Sequence, residues 1–243
     1  MGRAAVPGEV SKLGSMRVEH TSGIDGASRA NGVVVIIDVL RAFTVSAYGL
    51  AEGATECWLV GKVADALELQ RRTPDSIISA EVDGLPVPGI AISNSPTQVL
   101  AAEVRGHSLI QRTSAGTQAV LAARAASQLY AASLVVAAAT ARAIAKENPP
   151  LVTLVASGRP GRDVEDFVCA EYIAALLLGT GFDLAGSLLR LRSSERCREL
   201  ARGVTAGFPA SDLDLSLTAD RFQFCMPVKD REGRLVLIAE TRG

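Results

Sequence analysis

An aspartate and an arginine, Asp38 and Arg41, stand at the end of a continuous β-branched run that covers residues 33–38. Such a run predicts a strand buried on both faces. A carboxylate at its end can bind a hard cation such as Mg²⁺, and a guanidinium group can hold a phosphate or carboxylate through paired hydrogen bonds. An aspartate that caps the next helix beside a surface arginine explains the pair equally well.

A second candidate group combines Glu81, where a predicted strand ends, with Asn94 and Ser95, which precede Pro96 and a predicted helix. Serine is favoured as a helix N-cap, and proline is favoured in the first turn. A helix cap and an anion site use the same unpaired backbone N–H groups. The two interpretations are therefore compatible.

Hydroxyl groups and a glycine form a third candidate group at residues 112–117, where a predicted strand runs into a predicted helix. Thr113, Ser114 and Thr117 supply hydroxyls that suit phosphate oxygens, and Gly116 lets the backbone approach a ligand closely. The segment is not a P-loop, because the GxxxxGK[ST] spacing and its lysine are missing.

Arginines and acids crowd into a fourth group at residues 157–166, which again joins a predicted strand to a predicted helix. Acids such as Glu165 and Asp166 are favoured at a helix N-terminus by the helix dipole, as in an ordinary solvated loop. Arg159 and Arg162 are not, because a cation there is unfavourable without an anion to bind.

The elements that must position these side chains alternate along the chain. Strands are predicted at residues 33–38, 55–60, 76–80, 108–111, 128–131 and 151–156. Helices are predicted at residues 41–52, 62–72, 97–104, 116–126, 137–146 and 164–178, with charged helical segments in 184–206. Residues 221–228 and 234–238 predict a closing β-hairpin.

This alternation predicts an α/β fold, with a mixed, largely parallel sheet covered by helices on both faces. Ligand sites in such sheets lie beyond the carboxyl ends of the strands. The four polar groups are therefore expected to meet at one edge of the sheet. The chain is expected to form a single domain over residues 16–243, with a weak subdivision near 148–150 and a mobile tail at 1–15.

Composition excludes several classes of function. A net charge of −1 gives no basic surface for nucleic acid, and the longest apolar stretch, 167–178, contains Glu171 and is too short to span a membrane. Residues 1–15 lack the apolar core of a signal peptide. The four scattered cysteines predict buried free thiols and a cytoplasmic location. A homodimer is the default expectation.

In order and spacing, the four groups resemble the 2-phosphosulfolactate phosphatase family over roughly residues 33–178. Asp-Val-Leu-Arg-Ala at residues 38–42 resembles the family's first signature. Glu81, Gly89 and Asn-Ser-Pro at 94–96 resemble its glutamate and Gly-Asn-Ser-Pro signature, with Ser93 in place of the usual glycine. The later matches are Thr-Ser-Ala-Gly-Thr at 113–117 and an acidic helix start with Glu165, Asp166, Cys169 and Ala170.

The resemblance implies a three-layer α/β/α fold and a Mg²⁺-dependent phosphoric monoester hydrolase, which converts 2-phospho-3-sulfolactate and water to 3-sulfolactate and phosphate. In methanogens this step belongs to coenzyme M biosynthesis. The chain departs from the family at Val82, Ala115 and Gln118, where the family often has arginine, asparagine and arginine. Each departure removes a polar or cationic contact for an anion.

The leading hypothesis is metal-assisted hydrolysis of a small phosphorylated acid. The expected magnesium ligands are Asp38, Glu81 and Asp166. The expected substrate-binding residues are Arg41, Asn94, Ser95, Thr113, Ser114, Gly116, Thr117 and Arg159. Glu165 is the candidate general base, Asp38 is a rival nucleophile, and Arg41 acts beside them.

Other functions compete with this hypothesis. A non-catalytic protein that binds an anionic phosphorylated metabolite would use the same scaffold, and the missing polar residues motivate it. A haloacid-dehalogenase-type phosphatase needs a second aspartate at position 40, where this chain has Leu40. An interaction protein would expose residues 167–178 as a partner helix, but burial against the sheet is the usual arrangement of such a stretch.

Overall fold

A ten-stranded sheet organises residues 16–241, the part of the chain that the computed structural model describes. Its strands are β1 (Arg17–Ser22), β2 (Val33–Ile37), β3 (Glu56–Leu59), β4 (Ser76–Val82), β5 (Leu85–Pro86), β6 (Ser108–Arg112), β7 (Gln128–Ala132), β8 (Leu151–Ala156), β9 (Met226–Arg231) and β10 (Arg234–Leu237). The predicted tail at residues 1–15 lies outside the described residues.

Helices cover both faces of this sheet. They are α1 (Gly23–Arg29), α2 (Ala42–Ala51), α3 (Val63–Arg72), α4 (Pro96–Ala101), α5 (Gly116–Ala122), α6 (Ala137–Glu147), α7 (Val164–Leu178), α8 (Leu184–Arg192), α9 (Glu195–Leu200) and α10 (Ser211–Ser216). The arrangement is a three-layer α/β/α fold with a mixed, largely parallel sheet, which confirms the predicted fold class.

The sheet contains two groups of parallel strands that run in opposite directions. Strands β1, β8, β2 and β7 form one group, and β3, β6 and β4 form the other. The hairpin of β9 and β10 lies between them, and all three of its pairings are antiparallel. The four polar segments therefore follow strands of two directions, whereas the sequence pattern led us to expect one common edge.

Helix α2 brings the two groups of strands together. Every residue from Ala42 to Leu50 is buried, because the helix packs against strands of both groups. At its first turn, Gln111 of β6 donates Nε2 to the carbonyl of Ala42 over 2.7 Å and accepts the Ser46 hydroxyl over 2.5 Å. The start of α2, directly after β2, is thereby held beside the carboxyl end of β6.

The core is mainly aliphatic, with Ala, Val, Leu and Ile as its commonest residues. Strand β2 is buried at all five positions, so it lies in the interior of the sheet with helices on both faces. Cys57, Cys169, Cys197 and Cys225 are buried free thiols. Among the described residues, no helix combines the length and the apolar character that a membrane span requires.

Some elements differ from the sequence-based expectations. Strand β1, helix α1 and helix α10 were not predicted, because β1 is a polar edge strand and both helices are only one or two turns long. Strand β9 begins at Met226, whereas the hairpin was predicted from residue 221. Helix α7 has the predicted bounds and packs on α6 and β8, so its apolar face is covered by the fold.

Candidate active site

Asp38 lies at the carboxyl end of β2, and two donors hold its buried carboxylate. The backbone N–H of Ala42 donates to Oδ1 over 2.9 Å, so Asp38 caps the start of α2. The Ser157 hydroxyl, just after β8, donates to Oδ2 over 3.0 Å. Burial raises the pKa of Asp38, these hydrogen bonds oppose the rise, and the charge of Glu81 adds to it.

Asp166, near the start of α7, holds the turns that follow β2 and β8. Its Oδ1 accepts the N–H of Val39 over 2.8 Å, and its Oδ2 accepts the N–H of Gly158 over 2.9 Å and the Ser157 hydroxyl at 3.2 Å. Burial raises its pKa well above the ordinary value, and the charge of Asp38 raises it further. Both carboxylate oxygens are thus engaged by protein donors.

Glu81 likewise holds two turns together, those that follow β4 and β6 in the other group of strands. Its Oε2 accepts the N–H of Gly84 over 2.6 Å and the Ser114 hydroxyl over 3.1 Å, while Oε1 accepts the N–H of Ser114. Arg112 donates to the carbonyl of Glu81 and to the Ser114 hydroxyl. These contacts fix the turn after β6 against the turn after β4.

Arg41 is buried and pairs with a residue that the sequence did not single out. Its Nη1 lies 2.7 Å from Oδ2 of Asp212, on α10, and also donates to the carbonyl of Gly207 over 2.5 Å. The guanidinium carbon sits 4.2 Å from the centre of the Phe208 ring. Among the described residues, no acceptor faces its Nε or Nη2. One edge of Arg41 is therefore anchored by the protein, and the other has no acceptor among the described residues.

Asn94 is buried, yet its amide has no protein partner in the described part of the chain. Its Oδ1 is inaccessible to solvent and accepts no hydrogen bond, and no protein acceptor faces its Nδ2. A buried polar group without a partner is costly, and such groups are rare in native structures. Asn94 lies in the wall of a cleft, where its Nδ2 can donate to an anion, whereas the orphaned Oδ1 is an acceptor and would need a donor.

Glu165, on the first turn of α7, is buried and faces the same cleft. Its Oε1 accepts from Nη1 of Arg196 over 2.9 Å, and no other described residue donates to Oε2. Burial raises the pKa of Glu165 to about 7, although Arg196 opposes the rise. A carboxyl group with a pKa near neutrality can both accept and release a proton during a reaction.

The cleft gathers most of the predicted site residues, but not all of them. It has a volume of about 1910 Å³, which exceeds the ~300–1,000 Å³ of ordinary small-molecule sites. The predicted residues in its wall are Asp38, Arg41, Glu81, Asn94, Ser114, Arg159 and Glu165. Those that lie behind the wall are Ser95, Thr113, Gly116, Thr117 and Asp166.

The residues behind the wall hold the turns in place. Thr113 and Thr117 bond to one another, with the N–H of Thr117 3.0 Å from Oγ1 of Thr113 and the N–H of Thr113 2.8 Å from Oγ1 of Thr117. Ser95 accepts the N–H of Gln98 over 3.2 Å as the cap of α4 and donates to Asp212 over 2.9 Å. Their hydroxyls are therefore committed to protein partners.

Gly116 owes its role to its lack of a side chain. A Cβ at this position would lie 2.7 Å from Oδ2 of Asp38 and 2.8 Å from Cβ of Ala42. Because the first atom belongs to the buried Asp38 carboxylate and the second to a buried helix, the clash would displace Asp38. The glycine thus allows the turn after β6 to approach Asp38.

We predict that Gly116→Ala lowers kcat about 10²-fold, the typical effect of displacing a reacting group by about 1 Å. The matched control is Gly181→Ala, since a Cβ at Gly181 meets no atom within 4 Å. Steady-state kinetics of both variants, with circular dichroism as a check on folding, would measure the effect. Equal turnover of Gly116→Ala and the wild type would show that the close approach to Asp38 has no catalytic importance.

Acidic groups outnumber basic groups in the wall of the cleft. The basic residues are Arg41, Arg159, Arg162, Arg190 and Arg196, and the acidic residues are Asp25, Asp38, Glu81, Asp83, Asp163, Glu165, Glu171, Glu195 and Glu199. An anionic ligand would meet net repulsion in this cleft unless a cation accompanied it. The charge balance therefore suits a divalent cation.

That Asp38, Glu81 and Asp166 together hold such a cation stays a prediction from the sequence. Within residues 16–241, no three carboxylate, histidine or cysteine side chains are grouped as metal ligands. All three carboxylates accept protein hydrogen bonds at both oxygens, but Asp38 and Glu81 line the cleft whereas Asp166 lies behind its wall. Mg²⁺ commonly takes one or two carboxylates together with waters and substrate phosphate, so Asp38 with Glu81 nearby fits that pattern.

Two residues that contact this site, Asp212 and Arg196, were not predicted from the sequence. Asp212 is fully buried and accepts from Arg41, Ser95 and Thr97, but its helix has only six residues and no apolar periodicity. Arg196 stands among many charged residues of 184–206. The one available signal was that Asp212 follows Pro209 in a helix-start pattern.

Comparison with known proteins shows which family this chain resembles. A model of the 2-phosphosulpholactate phosphatase family matches residues 20–226. A protein of Bacillus subtilis strain 168, named probable 2-phosphosulfolactate phosphatase, is 34% identical over 163 residues, which cover 66% of this chain and 71% of that protein.

Two further relatives carry the same name. The protein of Deinococcus radiodurans is 37% identical over 153 residues, covering 61% of this chain and 63% of that protein. The protein of Carboxydothermus hydrogenoformans is 33% identical over 144 residues, covering 59% and 60%. The chain therefore aligns with less than two thirds of the length of these last two relatives.

Proposed function

The chain belongs to the 2-phosphosulfolactate phosphatase family, and from this premise we propose that it hydrolyses 2-phospho-3-sulfolactate to 3-sulfolactate and phosphate. The observation that carries the proposal is one cleft whose wall contains the carboxylates of Asp38 and Glu165, the amide of Asn94 and the guanidinium of Arg41. Carboxylates can move protons or attack phosphorus, and the other two groups can hold the anion.

The reaction exchanges one bond to phosphorus for another. An oxygen bonds to phosphorus as the ester P–O bond breaks, and the substrate oxygen leaves with a proton as the hydroxyl of sulfolactate. Arg41 and Asn94 would bind phosphoryl oxygens and stabilise the charge that develops on them. Arg159, whose guanidinium has no protein acceptor within residues 16–241, would bind a second acidic group of the substrate.

Two routes to phosphorus fit these residues. In the first, Glu165 takes a proton from water, which attacks directly. In the second, Asp38 attacks and forms an aspartyl-phosphate that water then hydrolyses. Hydrolysis in ¹⁸O-water with limiting enzyme distinguishes them, because label in the Asp38 carboxylate would exclude the direct route.

We also propose that turnover requires Mg²⁺. Asp38 would hold the ion, with Glu81 beside it and waters completing the coordination. When bound, the ion would supply positive charge to the phosphoryl group and offset the excess of carboxylates in the cleft. The test is calorimetric titration of the chelator-treated protein with Mg²⁺, which should give binding that Asp38→Asn weakens.

An assay of phosphate release from 2-phosphosulfolactate, with and without Mg²⁺, tests the proposed function. A panel of other phosphorylated hydroxy acids and p-nitrophenyl phosphate gives the specificity. Mg²⁺-dependent release that is fastest with 2-phosphosulfolactate is the expected result. Tight binding of these anions without release of phosphate would favour the metabolite-binding alternative and contradict the proposal.

We predict that Asn94→Ala weakens substrate binding about 10–100-fold, the effect of losing one hydrogen bond to a charged group. The folded state should keep its stability, because the lost amide has no protein partner. Inhibition by inorganic phosphate measures the change, and Asn94→Asp should weaken inhibition further by placing a negative charge beside the anion. The control is Asn31→Ala, whose amide is exposed and bonds only to the carbonyl of Arg29. Undiminished inhibition of Asn94→Ala would remove Asn94 from the site.

A further inference from the structure

Arg196, on the short helix α9, is bound to the segment that carries Glu165. Its Nη1 lies 2.9 Å from Oε1 of Glu165, 2.5 Å from Oδ1 of Asp163 and 3.1 Å from the carbonyl of Arg162. These three acceptors belong to one turn, the connection between β8 and α7. One guanidinium nitrogen from a distant part of the chain thus fixes the start of α7.

The contact determines which oxygen of Glu165 faces a ligand. Glu165 is 3% exposed, and Arg196 is 31% exposed by its side chain, so the pair is shielded from solvent on the carboxylate side. Oε1 accepts a hydrogen bond from Arg196. Oε2 is therefore the oxygen to which no other described residue donates. The carboxylate cannot rotate without losing its charged partner.

Arg196 also orders the turn that presents Arg159. Asp163 accepts Arg196 at Oδ1 and the backbone N–H of Arg159 at Oδ2, the latter over 2.8 Å. Glu165 and the turn at residues 159–163 therefore depend on the same cation. Arg198, two residues further along α9, is exposed and makes no ion pair or side-chain hydrogen bond within residues 16–241.

We propose that Arg196 is a positioning residue for catalysis, which holds the Glu165 carboxylate with Oε2 directed at the reacting phosphate. The inference rests on the proposed function, because it assigns Glu165 a part in the reaction. Arg196 acts through Glu165 and not by binding the substrate. Its loss should therefore act mainly on kcat through Glu165, with a smaller rise in KM from the turn that presents Arg159.

The experiment compares Arg196→Gln, Arg198→Gln, Glu165→Gln and the double variant of Glu165 and Arg196, each assayed with 2-phosphosulfolactate and Mg²⁺. We expect Arg196→Gln to lower kcat about 10²-fold, as for a misplaced reacting group, and Arg198→Gln to match the wild type. In the Glu165→Gln background, Arg196→Gln should have little further effect, because residues that act as a unit are not additive. Arg196→Lys should recover part of kcat, and it replaces Arg196→Gln in the comparison if the glutamine variant does not fold.

Each contrary result has a distinct meaning. If Arg196→Gln raises KM and leaves kcat intact, Arg196 serves substrate binding, directly or through the turn of Arg159, and the inference is overturned. If the effects of the two substitutions multiply in the double variant, Arg196 acts independently of Glu165 and the inference is again overturned. If Glu165→Gln itself turns over normally, the proposed role of Glu165 fails, which is a separate outcome from failure at Arg196 alone.

Discussion

Replacing Asp38 by asparagine is expected to lower kcat about 10³-fold or more, toward the upper end of what one catalytic group contributes. The carboxylate faces the cleft and carries the proposed roles of metal ligand and nucleophile, and a neutral amide can fill neither. Phosphate release from 2-phosphosulfolactate at saturating Mg²⁺ measures the loss. The control is Asp65→Asn, an exposed aspartate of α3 outside the cleft, which should retain full activity.

The same substitution should leave the stability of the protein equal or higher. Burial raises the pKa of Asp38, so its ionised form at neutral pH favours the unfolded state relative to a neutral group. The substituted amide keeps an oxygen for the N–H of Ala42, and Ser157 can accept from its nitrogen while donating to Asp166. Urea unfolding of the wild type and of Asp38→Asn, both in the presence of a chelator, measures the difference in the free energy of unfolding. A large loss of stability together with the loss of activity would mean that Asp38 is chiefly a structural cap.

Replacing Asp212 by alanine is expected to destabilise the protein by about 3–5 kcal/mol, the usual result of leaving one member of a buried ion pair uncompensated. The Arg41 side chain is 4% exposed and would keep its charge without a partner. The Ser95 hydroxyl and the N–H of Thr97 would also lose their acceptor. The free energy of unfolding in urea gives the magnitude.

A matched control lies two residues away on the same helix. Asp214 pairs with Arg192 at 2.5 Å, but its side chain is 76% exposed, so Asp214→Ala should cost less than about 1 kcal/mol. Replacing Arg41 by Met and Asp212 by Leu together should restore the part of the stability that the unpaired Arg41 charge costs, but not the part from Ser95 and Thr97. Activity should stay low, because the proposed anion ligand Arg41 is gone. Equal losses for Asp212→Ala and Asp214→Ala would contradict the buried-pair argument.

The local sequence pattern was sufficient to predict most of the strands and helices that carry the site residues. The apolar run before Asp38, the Ser95 cap before Pro96 and the long apolar stretch of α7 each have a periodicity or a cap that acts within a few residues. Strand β1 and helix α10 lacked such a signal, because one is a polar edge strand and the other is too short to show a period. The pairing of Arg41 with Asp212 was therefore not predicted from the sequence.

The sequence by itself determined the α/β class, the turns in which polar residues follow strands, and the resemblance to one phosphatase family. Those properties depend on neighbours along the chain. Only the tertiary structure decided which polar residues reach the cleft, because Thr113 and Thr117 satisfy each other, Asp166 binds backbone N–H groups, and Asn94 is left without a partner. Hydrogen-bond partners are chosen by distance in space, and here α2 packs between two opposed groups of strands to set those distances.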